Sequence, residues 1–128
     1  IKEIYASTSN VSNKKFNKIN DYELATCVLK SKKGVISVIN NSRHCSFGYD
    51  QRIEIFGNKG MLISTNKKKY NFFIDRFRLA YKLQLDDLFN LAKNNKKSRA
   101  SFDDGEKALV LANAAYKSLR SKKTVKIK

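Results

Sequence analysis

The chain has 128 residues, 27 Lys plus Arg against 11 Asp plus Glu, and a formal net charge of +16 with its single His neutral. At 41% hydrophobic residues, a chain of this length makes one domain that buries roughly two-thirds of its unfolded surface, which excludes disorder for most of it. No window approaches the roughly 20 consecutive apolar residues of a membrane helix, and residues 1–8 lack a signal-peptide layout, so a soluble protein away from membranes is expected.

Residues 1–8 alternate Ile and Tyr with smaller or charged residues and predict a strand. Residues 9–20 are polar and rich in Asn and Lys, with Val11, Phe16 and Ile19 as anchors, and predict a loop. Residues 22–29 and 35–39 predict two strands joined at Lys30-Ser31-Lys32-Lys33-Gly34, where Gly34 supplies the positive φ of an antiparallel turn. Both faces of this hairpin carry apolar residues, Tyr22, Leu24 and Val28 on one and Ala25, Cys27 and Leu29 on the other. One face is therefore expected under helices and the other against a second sheet or subunit. A polar stretch over residues 40–51, broken by Gly48, leads to a short strand over residues 52–56. Gly57-Asn58-Lys59-Gly60 turns the chain into a partner strand over residues 61–64.

After Lys67-Lys68-Lys69 and the aromatic cluster Tyr70, Phe72 and Phe73, the period changes from two to about 3.6. Phe73, Phe77, Tyr81, Leu85, Leu88 and Ala92 draw one apolar stripe along a helix of about five turns, which ends at Asn94-Asn95-Lys96-Lys97. The stripe and the pair Phe72-Phe73 are expected in the core. Ser101 with Asp104 predicts a capping box, and Ala108, Leu109, Ala112, Ala115, Tyr116 and Leu119 predict the buried face of a second helix. Residues 124–127 close with a strand. The fold class is α+β: an open, mainly antiparallel β-sheet with two long helices packed on one face.

A sequence pI near 10.0 raises polyanion binding. The basic residues, however, lie in runs such as Lys14-Lys15, residues 30–33, Lys67-Lys68-Lys69, residues 93–99 and residues 117–128, mostly in predicted turns and at helix C-termini. No recognition helix, zinc finger or single-strand aromatic motif is present, so specific nucleic-acid binding is not expected. Cys27 and Cys45 lack zinc spacing and read as reduced core thiols. His44, the single imidazole, has no second His for a metal, and a nucleophilic pair with Cys45 is rejected because neighbouring strand residues face opposite ways. Asp103, Asp104 and Glu106 are explained by the helix dipole. No dinucleotide fingerprint, Walker loop or nucleophile elbow occurs.

The run Gly48-Tyr49-Asp50-Gln51-Arg52-Ile53-Glu54-Ile55-Phe56-Gly57-Asn58-Lys59-Gly60-Met61-Leu62 resembles the C-terminal domain of the Gfo/Idh/MocA oxidoreductase family, most of all its inositol 2-dehydrogenase branch. Phe73-Ile74-Asp75-Arg76-Phe77 with Ala80-Tyr81, and Asp103-Asp104-Gly105 through Leu119 with the last strand, follow in the family's order. The resemblance covers essentially the whole chain. It implies that residues 1–128, with no Met at position 1, form the substrate and oligomerisation domain of a longer, cytoplasmic NAD(P)-dependent dehydrogenase of a cyclitol or sugar.

NAD or NADP would be bound by an N-terminal Rossmann domain that these residues do not include, along with the family's Glu-Lys-Pro lysine and Asp/His pair, so the chain alone would be inactive. Tyr49 is the leading polyol contact that the resemblance implies, with Asp50, Gln51 and Arg52 beside it and Arg43 and His44 in second rank. Asp50 and Arg52 have an alternative role in holding the bend before Ile53. A homo-oligomer, dimer or tetramer, is expected through the open sheet face. A basic scaffold or polyanion-binding module is the alternative. Gln84, where the family often has an acidic residue, and Lys122-Lys123, in place of a Gly helix stop, depart from the pattern.

Overall fold

A computed structural model describes residues 1–98 and 100–127; Arg99 and Lys128, each ending one of the basic runs, lie outside the described residues. The described residues form two compact units, one of residues 1–44 with the segment after 99 and one of residues 45–98. The elements are β1 (Glu3–Ser9), α1 (Lys15–Lys18), β2 (Leu24–Lys30), β3 (Ile36–Ser42), β4 (Ile53–Gly57), β5 (Gly60–Ser64), α2 (Phe73–Asn94), α3 (Phe102–Ser121) and β6 (Val125–Lys126). This is the expected α+β class, with an open antiparallel sheet and two long helices.

In the first unit the sheet order is β3-β2-β1-β6, all neighbours antiparallel. The β2–β3 hairpin turns at Gly34, whose φ is +87°, and its register sets Leu24 opposite Ser42 and Lys30 opposite Ile36. Strand β3 runs three residues past the apolar segment, because Asn40, Asn41 and Ser42 find partners already fixed on β2. The Thr26 hydroxyl donates to Asn40 Oδ1 at 2.9 Å across that pair. Strand pairing here overrides the low strand propensity of Asn. The predicted loop before β2 contains one turn of helix, α1.

Alternation sorts the sheet into two faces. Ile4, Ala6 and Leu29 are buried against Ala114 and Ser118 of α3. Tyr5, Leu24, Val28, Ile36 and Val38 stand on the other face and are exposed. One apolar face is thus under α3, where helices were expected, and the other is open.

Helix α3 begins at the expected capping box: Ser101 Oγ accepts from the Asp104 N–H, and Asp104 Oδ2 accepts from the Ser101 N–H at 3.0 Å. These hydrogen bonds, with help from Lys107, hold the Asp104 carboxyl below its ordinary pKa. Its buried face differs from the expected one. Ala114 and Ser118 are buried with Leu111 and Ala115 half-buried, whereas Ala108, Leu109, Ala112 and Tyr116 are exposed. The stripe lies one position away because its central residue is a serine, which hydropathy reads as solvent-facing. Ser118 is fully buried, its Oγ accepting from the Ala6 N–H at 3.0 Å and donating to the Lys123 carbonyl at 2.7 Å. Lys122 takes the left-handed C-cap conformation, φ +56°, that a Gly would fill at less cost.

In the second unit β4 and β5 form their own two-stranded sheet, with Ile55 opposite Leu62 on one face and Phe56 opposite Met61 on the other, all exposed. Helix α2 ends at the predicted place, with Asn95 in the left-handed C-cap. Its stripe is not core: Phe72, Phe73, Tyr81, Leu85 and Leu88 are exposed, and Phe77 is half-buried. Within its unit α2 meets Tyr49 and Tyr70 at its N-terminal end, through Phe73, Phe77 and Arg76. Among the described residues no helix is long and apolar enough to cross a membrane.

Candidate functional site

The residues singled out from the sequence fall into two clusters, one in each unit. The first stands at the open end of the β2–β3 hairpin. The ladder continues beyond Leu24 and Ser42, as the Arg43 N–H donates to the Glu23 carbonyl at 2.9 Å. This sets Asp21 and Glu23, two residues apart, against Arg43 and His44. The Arg43 guanidinium pairs with the Asp21 carboxylate, donates from Nε to the Tyr22 carbonyl at 3.0 Å, and lies over the Phe16 ring at 5.2 Å. His44 Nε2 lies 3.0 Å from Glu23 Oε1.

Glu23, which the sequence reading missed, is 3% exposed. Burial alone would push its carboxyl up, but the backbone N–H groups of Asn13 and Ser12, together with His44, outweigh it and hold the pKa below the ordinary value. The Ser12 N–H donates to Oε2 at 2.8 Å, and Asn10 Oδ1 accepts from the Glu23 N–H at 2.7 Å. The acid thus ties the loop before β2 to the sheet end. A signal was present: the hairpin register places a DxE pair opposite an Arg-His pair, and opposite charges across a ladder attract.

The lowered pKa fixes a sign. Stability from the ionised Glu23 is fully present above its unfolded value near 4.3 and is lost as pH falls through the lower folded value. Thermal melts of Glu23→Gln are therefore expected to show a flatter loss of stability than wild type between about pH 5 and pH 2. Parallel curves would remove Glu23 from acid sensitivity.

The second cluster surrounds Gly48. A parallel bridge joins Gly48 to Tyr70, and the Tyr49 N–H donates to the Tyr70 carbonyl at 2.6 Å. Asn66 Nδ2 donates to the Tyr49 carbonyl at 2.7 Å, and Arg76 Nε donates to Asn66 Oδ1. The Tyr49 ring meets Phe77 edge-on at 5.6 Å and Phe73 at 6.3 Å, and the Arg76 guanidinium lies over both Tyr70 and Phe77. Tyr49 is thereby held from its backbone and its ring, with 42% of its surface still open. Arg52 Nε pairs with Asp50 Oδ2 at 2.7 Å, and Arg52 lies over Phe47 at 5.8 Å. Phe47, Asp50, Arg52, Thr65, Asn66, Lys68 and Lys69 line an open groove of about 200 Å³.

The cysteines divide. Cys27 is half-buried in β2, and burial pushes its thiol up; Cys45 is exposed, which corrects the expectation of a core thiol. Neither His44 nor Cys45 lies in a strand, so strand alternation does not separate them; the imidazole is turned to Glu23 instead. Among the described residues no three His, Cys, Asp or Glu side chains converge on a metal position. Among the described residues the strands pair antiparallel and no Gly-rich turn opens a helix after a parallel strand, so they do not make a dinucleotide fold.

The sequence pattern of the GFO/IDH/MocA C-terminal domain matches residues 1–63. The chain is 34% identical to a myo-inositol 2-dehydrogenase of Thermotoga maritima over 99% of its own length and 43% of that protein. The crystal structure of a myo-inositol dehydrogenase from Corynebacterium glutamicum superposes with a TM-score of 0.93 at 35% identity, over 100% of this chain and 44% of that one. A scyllo-inositol dehydrogenase from Lactobacillus casei, solved with bound NAD(H) and scyllo-inositol, shares the fold at a TM-score of 0.91 and 19% identity, over 98% of this chain and 42% of that one.

These likenesses define the class, an α+β domain of the kind found on the C-terminal side of the Gfo/Idh/MocA proteins. Residues 1–63 carry the Gfo/Idh/MocA C-terminal domain pattern, and over its whole length the chain is similar to inositol dehydrogenases of that family. It spans less than half the length of the relatives it matches.

Proposed function

We propose that residues 1–128 act as a single substrate-binding and oligomerisation domain of an NAD(P)-dependent dehydrogenase that oxidises a CH–OH group of a cyclitol or sugar, with myo-inositol the leading substrate. The observation that carries this is the 34% identity to a myo-inositol 2-dehydrogenase along 99% of the chain. In this reading the dinucleotide and the proton relay belong to other parts of the polypeptide, and this domain is inactive alone. The dinucleotide supplies the hydride acceptor. Tyr49, Asp50, Arg52, Arg43 and His44 supply polyol contacts, since a polyol wants several donors and acceptors on a rigid frame. The open apolar sheet face and the exposed stripe of α2 support homo-oligomer formation, because a soluble protein rarely leaves that much apolar surface uncovered. A cytoplasmic setting is supported by the unpaired thiols of Cys27 and Cys45.

The test is NAD reduction by the whole encoded protein with myo-inositol, followed by scyllo-inositol and simple sugars. Reduction with a cyclitol is the expected result; no reduction with any polyol, alongside binding of nucleic acid that survives about 0.2 M salt, would replace the reading with a polyanion module. Within an active enzyme, Tyr49→Phe is expected to raise the polyol KM about tenfold, the worth of one hydrogen bond, without changing the dinucleotide KM. The ring contacts with Phe73 and Phe77 do not need the hydroxyl, so unchanged kinetics would take Tyr49 out of the site.

A further inference from the structure

Glu23 and His44 form a pair that loop-holding alone does not account for. The Glu23 carboxylate is buried, its Oε1 has no well-aligned hydrogen-bond donor among the described residues, and the side chain placed against it is the His44 imidazole. That imidazole is itself 62% exposed. The backbone of His44 is fixed separately by Ser42, whose Oγ accepts from the His44 N–H at 3.1 Å and donates to the His44 carbonyl at 2.8 Å. Arg43, one residue earlier, is locked by Asp21, the Tyr22 carbonyl and Phe16. An outward-facing ring thus has its main chain anchored on one side and one nitrogen against a buried acid on the other.

Elementary hydrogen-bond chemistry then constrains the ring. An ionised carboxylate only accepts. The nitrogen 3.0 Å from it must carry a proton, and in a neutral imidazole the other nitrogen is then a bare acceptor. The Glu23 carboxyl is held in its ionised form by the Asn13 and Ser12 N–H groups and by His44, against its burial.

We infer that Glu23 is a positioning residue for His44, holding the imidazole with its proton on Nε2 and leaving Nδ1 as the ring nitrogen offered to a hydroxyl of the polyol. The inference rests on the reading that His44 lines the polyol site. It adds a specificity element to that site: an acceptor of fixed direction, suited to a hydroxyl proton and unsuited to a carboxylate or phosphate oxygen.

The test uses the full-length protein labelled with ¹⁵N-histidine, with the His44 signals assigned by their loss in His44→Asn. Wild type is expected to show a proton on Nε2 and none on Nδ1. Glu23→Gln keeps the volume and the acceptor for the Ser12 N–H, but its amide both accepts and donates, so the variant is expected to show mixed tautomers. A proton on Nδ1 in wild type, whether alone or together with one on Nε2, or the wild-type pattern retained in both Glu23→Gln and Glu23→Ala, would overturn the assignment.

Kinetics separate this from the reading beneath it. Glu23→Gln and His44→Asn are each expected to raise the polyol KM about tenfold with the dinucleotide KM unmoved. If the ring is on Nε2 as stated while His44→Asn leaves the polyol KM unchanged, the positioning stands, the site reading for His44 fails, and the assignment of Nδ1 to a substrate hydroxyl falls with it.

Discussion

Ser118→Ala is expected to lower the unfolding free energy by about 2–3 kcal/mol, the cost of leaving buried polar groups unpaired. Among the described residues strand β6 pairs with Glu3 and Ile4, and the N–H of Ala6, two residues beyond Ile4, has no strand partner on that side. Ser118 Oγ fills the gap at 3.0 Å and in the same stroke holds the Lys123 carbonyl that leads into β6. Alanine removes both bonds, and the Ala6 N–H loses its partner where no water reaches, since Ser118 is 0% and Ala6 4% exposed, while the Lys123 carbonyl is only partly buried. For a chain of this size the melting temperature should fall by roughly 10 °C. Ser121→Ala, on the same helix but exposed, should stay within about 0.5 kcal/mol of wild type. Equal effects of the two substitutions would show that the Ala6 N–H is satisfied some other way.

Gly48→Ala should be the most damaging change in the second unit, costing about 2–4 kcal/mol of local stability through a left-handed backbone penalty and a lost hydrogen bond. Gly48 has φ +83°, and a Cβ there would sit 2.1 Å from the Tyr70 carbonyl oxygen. Two backbone segments cannot both keep their places around that atom. The bridge to Tyr70 and the 2.6 Å bond from the Tyr49 N–H must part, and Tyr49 loses its backbone anchor. Hydrogen exchange at the Tyr49 amide should accelerate by two orders of magnitude or so if about 3 kcal/mol is lost. On the proposed polyol-dehydrogenase function, the polyol KM of the complete protein should rise further than in Tyr49→Phe while the dinucleotide KM holds. Gly34→Ala is the control: its φ is +87° but nothing lies within 4 Å of the added carbon, so only the backbone cost of about 1–2 kcal/mol applies. Amide exchange at Tyr49 no faster in Gly48→Ala than in Gly34→Ala would mean that the Tyr70 contact is not what holds the segment.

Much of this chain was legible from residues alone, because the signals are local. Gly34 marks a turn that needs a positive φ, Ser101 and Asp104 satisfy the first N–H groups of a helix, and Asn95 ends one; each works within a few residues of itself. The run from Gly48 to Leu62 carried the family, since a contiguous motif survives in one dimension.

What failed depended on partners distant in sequence. The face of α3 turned out to centre on Ser118, a polar residue buried only because β1 presents an unpaired N–H more than a hundred positions away in sequence. The stripe of α2 has the periodicity of a core helix but is exposed, since periodicity specifies that a face is apolar and says nothing of what covers it. Glu23 was not singled out from the sequence. Only the pairing of β2 with β3 brought it under the loop and against His44, where burial and two backbone donors make it the organising residue of that cluster. The sequence by itself determined the class of fold, the helix ends, the turns and the family. The tertiary structure alone decided which side chains lost their water, and that loss is what turns an ordinary serine or glutamate into a residue on which the structure depends.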